Sequence, residues 1–165
     1  MMSMVSVAAN TFSGSTNPPI CDPLPNRNGW GDTLSRLVAV MRLELSSIIK
    51  WISGWQISNK LDSREGDYYI EKTASDAFYN THLKKLLSDH AIENITITGL
   101  QTEYCIGTIC RSALSHGFGV TLVAGGRKTG DAYQSAATMI EQHNRILDNL
   151  DHPTLKIQVK NINEL

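Results

Sequence analysis

Ile95-Thr96-Ile97-Thr98-Gly99-Leu100-Gln101-Thr102-Glu103-Tyr104-Cys105 is the stretch on which the fold turns. Its first four residues are β-branched without interruption and bounded by Gly99, the composition of a buried strand. Glu103 to His116 then reads as a helix stopped by Gly117. Phe118 to Ala124 is a second apolar strand, closed by Gly125 and Gly126. Outward from this unit, Asp131 to Leu150 reads as a long helix and Leu155 to Val159 as a last strand. Upstream, Tyr68 to Glu71 is a short strand, and Ser75 to Asp89 a helix whose apolar side holds Phe78, Leu83, Leu86 and Leu87. Strands that alternate with helices build βαβ units. The fold class expected is therefore α/β, a mostly parallel sheet with helices on both faces.

The N-terminal third has another character. Met4 to Ala9 is a short apolar run with the look of a buried strand. Asn10 to Asn28 is polar, and Pro18, Pro19, Pro23 and Pro25 exclude regular structure there. Asp32 is placed as an N-cap for Leu34, Leu37, Val38, Met41 and Leu45 at helical spacing, which predicts a helix to about Leu45. Ser46 to Ser53 fits a buried strand or further helical turns equally well.

Composition narrows the function. The 165 residues suit one domain spanning 1–165, and a formal net charge of −1 argues against a phosphate-tracking nucleic-acid binder. No run of 18 apolar residues exists to span a membrane. The start of the chain lacks the basic opening and apolar run of a secretory signal, so a cytoplasmic location is expected. Three cysteines do not make a disulfide framework, and no C-x-x-C pair exists. The partner expected is a small-molecule substrate; association into a homo-oligomer stays open.

Two residues stand out chemically. Ligands of an open parallel sheet gather beyond the carboxyl ends of its strands, and Cys105 falls there, in the first turn of a helix. Unpaired backbone N–H groups and the helix dipole favour an anion at such a place, so its thiol is expected to ionise more readily than a free cysteine. The same N–H groups suit a developing oxyanion. The plainer alternative is a small buried apolar residue. Lys72 ends the strand Tyr68–Glu71 and is expected at the same sheet edge, where a cation would stabilise a thiolate; a solvated lysine with few packing contacts is the plainer reading. Cys110 and Cys21 read as structural or incidental. The five histidines, His82, His90, His116, His143 and His152, form no close pair, so no metal and no cofactor is expected. Gly125-Gly126-Arg127-Lys128-Thr129-Gly130 lacks the order of a phosphate loop and reads as a polar strand-to-helix connection.

Glu71-Lys72-Thr73 with Ala77-Phe78-Tyr79-Asn80-Thr81 and Leu83, followed by Ile97-Thr98-Gly99-Leu100-Gln101-Thr102-Glu103-Tyr104-Cys105-Ile106 and Thr108, resembles the isochorismatase-like cysteine hydrolases, the nicotinamidase/isochorismatase superfamily. The resemblance runs from about Gly54 to Val159. It implies a three-layer, Rossmann-like sheet and a catalytic Asp–Lys–Cys triad, with Cys105 as nucleophile and Lys72 as the lysine. It also implies an oxyanion hole from the backbone N–H groups of Gln101 and Cys105, beside a cis peptide between Leu100 and Gln101. The family's aspartate closes the first strand, where Asn10 stands here; Asp22 is the first acid of the chain. The N-terminal part thus departs from the pattern as shortened or altered, and the family's metal-binding histidine motif is missing. The function implied is metal-independent hydrolysis of a small amide or related substrate through a Cys thiolate. The alternative is a catalytically impaired member serving as a binding or oligomerisation protein.

Overall fold

The computed structural model describes residues 4–10, 37–41, 67–131 and 134–165, the first two stretches as paired strand backbone. Ile95, Thr96, Ile97 and Thr98 are all buried, so both faces of their strand are covered. That strand, β4 (Asn94–Leu100), lies inside a six-stranded sheet. The others are β1 (Met4–Asn10), β2 (Leu37–Met41), β3 (Tyr68–Lys72), β5 (Gly119–Lys128) and β6 (Ile157–Lys160), in the order β3-β2-β1-β4-β5-β6. The β2–β3, β4–β5 and β5–β6 pairs are parallel, whereas β1 is antiparallel to both neighbours. Two reversals cancel, so β3 and β4 point the same way and end at the same edge.

Three α-helices are described: α1 (Leu83–Asp89), α2 (Gly107–Ser115) and α3 (Ala136–Asp148). Leu83 and Leu87 of α1, Ile109 and Ala113 of α2 and Leu147 of α3 share one buried cluster with Ile95, Ile97, Leu122 and Ile157. Each such leucine or isoleucine side chain contributes roughly 1.5–3 kcal/mol by leaving water. The Ser46 to Ser53 segment, which fits strand and helix alike, lies outside the described residues. No helix among the described residues is long and apolar enough to cross a membrane.

The structure corrects the sequence reading at several places. Leu37–Met41, expected inside a helix starting at Asp32, is a strand between β1 and β3. Its apolar residues satisfy either period, and backbone pairing on both sides decides for the strand. The helix expected from Ser75 begins only at Leu83, because Asn80 takes a left-handed φ of 51° and interrupts it. The long helix begins at Ala136 rather than Asp131, capped by Ser135, whose hydroxyl accepts the N–H of Thr138 at 3.2 Å.

Gly125 to Lys128, expected as a connection, continues β5. The register with β4 jumps from Ile97↔Leu122 to Gly99↔Arg127, so β5 arches outward between these pairs and returns beside the end of β4. Arg127, buried, closes the arch by donating from Nε to the Val123 carbonyl at 3.3 Å and from Nη2 to the Asn144 side-chain oxygen. A Cβ on Gly126 would stand 3.0 Å from both Thr98 Cγ2 and Val123 Cβ, while one on Gly125 meets nothing within 4 Å. Gly126→Ala should therefore cost about 1–3 kcal/mol by overpacking. Gly125→Ala should stay within about 0.5 kcal/mol of the parent; urea unfolding of the two variants checks the contrast.

Candidate active site

Lys72 is the last residue of β3 and is completely buried. Its side chain is not the solvated one the plain reading of the sequence expected, nor one with few packing contacts. An ammonium taken out of water needs acceptors for its three N–H donors. Nζ donates to the Ala74 carbonyl at 2.9 Å, the Ser75 carbonyl at 3.1 Å and Cys105 Sγ at 3.2 Å. Burial pushes the Lys72 pKa below the ordinary lysine value, and negative charge at Cys105 and at Asp76 opposes that shift.

Cys105 arrives from the other side, just past the end of β4. The Leu100–Gln101 peptide is cis, at the bond the resemblance implied. Gly99 precedes it with φ of 127°, a conformation that L side chains rarely adopt. The chain then enters a π-helical turn, Thr102–Ile106, before α2 begins. The Gln101 carbonyl accepts from the N–H of Tyr104 and of Ile106, both at 3.2 Å. Such turns are rare and occur often at functional sites. Thr102 is buried and donates from Oγ1 to the Lys128 carbonyl at 3.4 Å, and the Thr129 hydroxyl donates to the Glu103 carboxylate. The returning arm of β5 thereby braces the turn that carries Cys105.

The structure brings Lys72 and Cys105 together as expected and leaves other candidates apart. Asn10 pairs with Asn94 at the beginning of β4, while Val5 pairs with Gly99 at its end. Because β1 runs antiparallel, Asn10 lies at the edge opposite Cys105 and does not stand in for a catalytic aspartate. Asp22 and Cys21 lie outside the described residues. Cys110 is buried on α2, where desolvation pushes its thiol up to about 12, against the opposing positive charge of Arg127 and Arg111. Among the described residues no three His, Cys, Asp or Glu side chains are grouped to hold a metal ion. His82 and His90 are exposed, and His143 engages the Met139 carbonyl of its own helix.

One carboxylate near the pair was not singled out from the sequence. Asp76 accepts the N–H of Phe78 on Oδ1 at 2.9 Å and the Ser112 hydroxyl on Oδ2 at 2.8 Å. Its sequence signal was the spacing from Asp76 to Phe78, a carboxylate reaching the backbone two residues on.

Residues 48–151 match the family model of the isochorismatase domain. The chain belongs to the isochorismatase family. It is 31% identical over 92 residues to YrdC of Bacillus subtilis, an isochorismatase family protein, an alignment covering 52% of this chain and 49% of that one. It is 28% identical over 131 residues to the ureidoacrylate amidohydrolase RutB of Klebsiella pneumoniae, covering 68% of this chain and 56% of the relative. The chain thus spans about half the length of the curated relatives it matches. A crystal structure of an isochorismatase family protein superposes with a TM-score of 0.64 at 28% identity, covering 74% of this chain and 71% of the other. These likenesses fit the sheet and helices described above.

Both described thiols are fully buried, but Cys105 meets a hydrogen-bonded ammonium, whereas at Cys110 desolvation outweighs the opposing Arg127 and Arg111 charges. Iodoacetamide near neutral pH should therefore alkylate Cys105 ahead of Cys110 in the folded protein. Lys72→Met, which preserves most of the buried volume, should erase the preference; peptide mapping by mass spectrometry reads both results.

Proposed function

We propose that this chain is a metal-independent cysteine hydrolase of small amides, with Cys105 as nucleophile and Lys72 as the cation that holds it as a thiolate. The observation that carries this reading is the buried contact of 3.2 Å between Lys72 Nζ and Cys105 Sγ at the carboxyl edge of the sheet. A lone buried cysteine requires no ammonium, and a lysine placed only for stability gains nothing from being desolvated against a sulfur. The match to an amidohydrolase supports the choice of an amide.

In the proposed reaction Sγ attacks the amide carbonyl carbon, and the backbone N–H groups of Gln101 and Cys105 hold the oxygen as it gains charge. The C–N bond breaks, the nitrogen leaves with a proton, and the acyl group stays on sulfur as a thioester. Water then attacks the thioester, releasing the acid and returning the thiolate. A carboxylate would carry the proton between sulfur, leaving nitrogen and water.

A second reading, a member without turnover that serves as a binding or oligomerisation protein, draws on one observation. The antiparallel β1 delivers Val5, not an acid, beside Gly99 at the edge where Cys105 stands.

A panel of small amides assayed on the parent chain, Cys105→Ala and Lys72→Met tests the choice. Turnover is expected in the parent and absent in Cys105→Ala, with kcat lowered about 10²–10³-fold in Lys72→Met. Undamped Cys105→Ala activity would overturn the hydrolase reading, and a reactive but inert Cys105 across the panel would select the second one. The lowered Lys72 pKa fixes a further sign. As pH rises, Lys72 loses its proton earlier than an exposed lysine and the thiolate loses its cation. The kcat/KM profile should accordingly fall on its alkaline side below the ordinary lysine range of about 10.4.

A further inference from the structure

The Lys72 ammonium is aimed by two separate pieces of chain. The Ala74 and Ser75 carbonyls belong to the loop after β3, and Cys105 Sγ belongs to the turn that opens α2. If the loop slid along the helix, at least one of the three bonds would break. Something has to fix the loop against the helix, and the described residues contain a fastener at the right place. Asp76 follows Ser75 directly, so the Ser75 carbonyl that accepts from Lys72 lies in the peptide leading into Asp76. Ser112 lies about two turns beyond Cys105, which returns it to the same side of the helix. The Ser112 hydroxyl donates to Asp76 Oδ2 at 2.8 Å.

We propose that Asp76 and Ser112 are positioning residues for the Lys72–Cys105 pair, their hydrogen bond setting where the loop that aims the ammonium stands against the helix that carries the thiol. The other contacts of Asp76 agree with this task. Its Oδ1 accepts the Phe78 N–H and so orients the carboxylate toward α2. Ala77 and Phe78 are buried, with Phe78 stacked on Phe118 at a centroid distance of 5.9 Å, which anchors the far end of the loop. Cys105–Lys72 thus ties the π-helical turn to the end of β3, and Ser112–Asp76 ties α2 to the loop that follows β3. The assignment deepens the cysteine-hydrolase reading and rests on it for the reactivity of Cys105.

The test follows Cys105 alkylation by iodoacetamide against pH in the full chain, with urea unfolding run in parallel. Ser112→Ala should slow alkylation near neutral pH by about 3- to 10-fold, the worth of one ordinary hydrogen bond, and move the profile to higher pH. Ser112→Thr should restore both the rate and the profile, and Asp76→Ala, which also removes a negative charge near Lys72 and the acceptor of the Phe78 N–H, should show at least the Ser112→Ala defect. A role confined to stability would shift the urea midpoint and leave the pH profile of the folded protein unmoved. A Ser112→Ala protein with the parent's rate and profile would overturn the positioning role while leaving the hydrolase reading standing. A parent protein in which Cys105 reacts no faster than Cys110 would overturn both.

Discussion

A buried ammonium tolerates no vacant donor, and this constraint organises the carboxyl edge of the sheet. Lys72 sits at the end of β3 with no exposure to solvent, so its three donors must be answered from within the chain. Two carbonyls of the following loop answer two of them and Cys105 answers the third. Burial works against the charge, and the negative character of Cys105 and Asp76 works for it. The lysine is thereby tied to the sulfur energetically as well as geometrically, since the sulfur makes the lysine's charged form less costly.

The rest of the edge reads as scaffolding for that contact. The strand that leads to Cys105 is buried on both faces, which fixes its position more firmly than a surface strand would be fixed. The π-helical turn sets the sulfur two residues ahead of α2, and the arch in β5 sends Lys128 and Thr129 back to brace the same turn. The arch depends on a residue without a side chain at 126 and on a buried arginine at 127 that engages the Val123 carbonyl. Family membership accounts for the sheet and helices in common. The arrangement of Lys72 and Cys105 is what gives that membership a chemical meaning in this chain.

Much of this was legible in the linear text. The β-branched run Ile95–Thr98, the Gly99 that ends it and the apolar strand after Gly117 all carry local signals strong enough to survive into the structure. Lys72 and Cys105 were legible as candidates because both follow strands that a parallel sheet must end at one edge. The boundaries of Leu37–Met41 and of α1 were not, for different reasons. The first has a pattern that fits helix and strand alike, and pairing partners on either side decide it. The second is delayed by Asn80, whose left-handed backbone is a property of the loop around it.

The sequence by itself determined the alternation of strands and helices, the family, and the two residues that could meet as cation and thiol. Those follow from local composition and from motifs whose spacing is short. Only the tertiary structure decided the direction of β1, because a strand's apolar pattern is the same read forwards or backwards. That direction removes Asn10 from the site. It also decided that Lys72 is desolvated and that Asp76 reaches Ser112, contacts between segments 33 and 36 residues apart in the chain. Burial and long-range pairing are properties of the packed chain, and no window of sequence contains them.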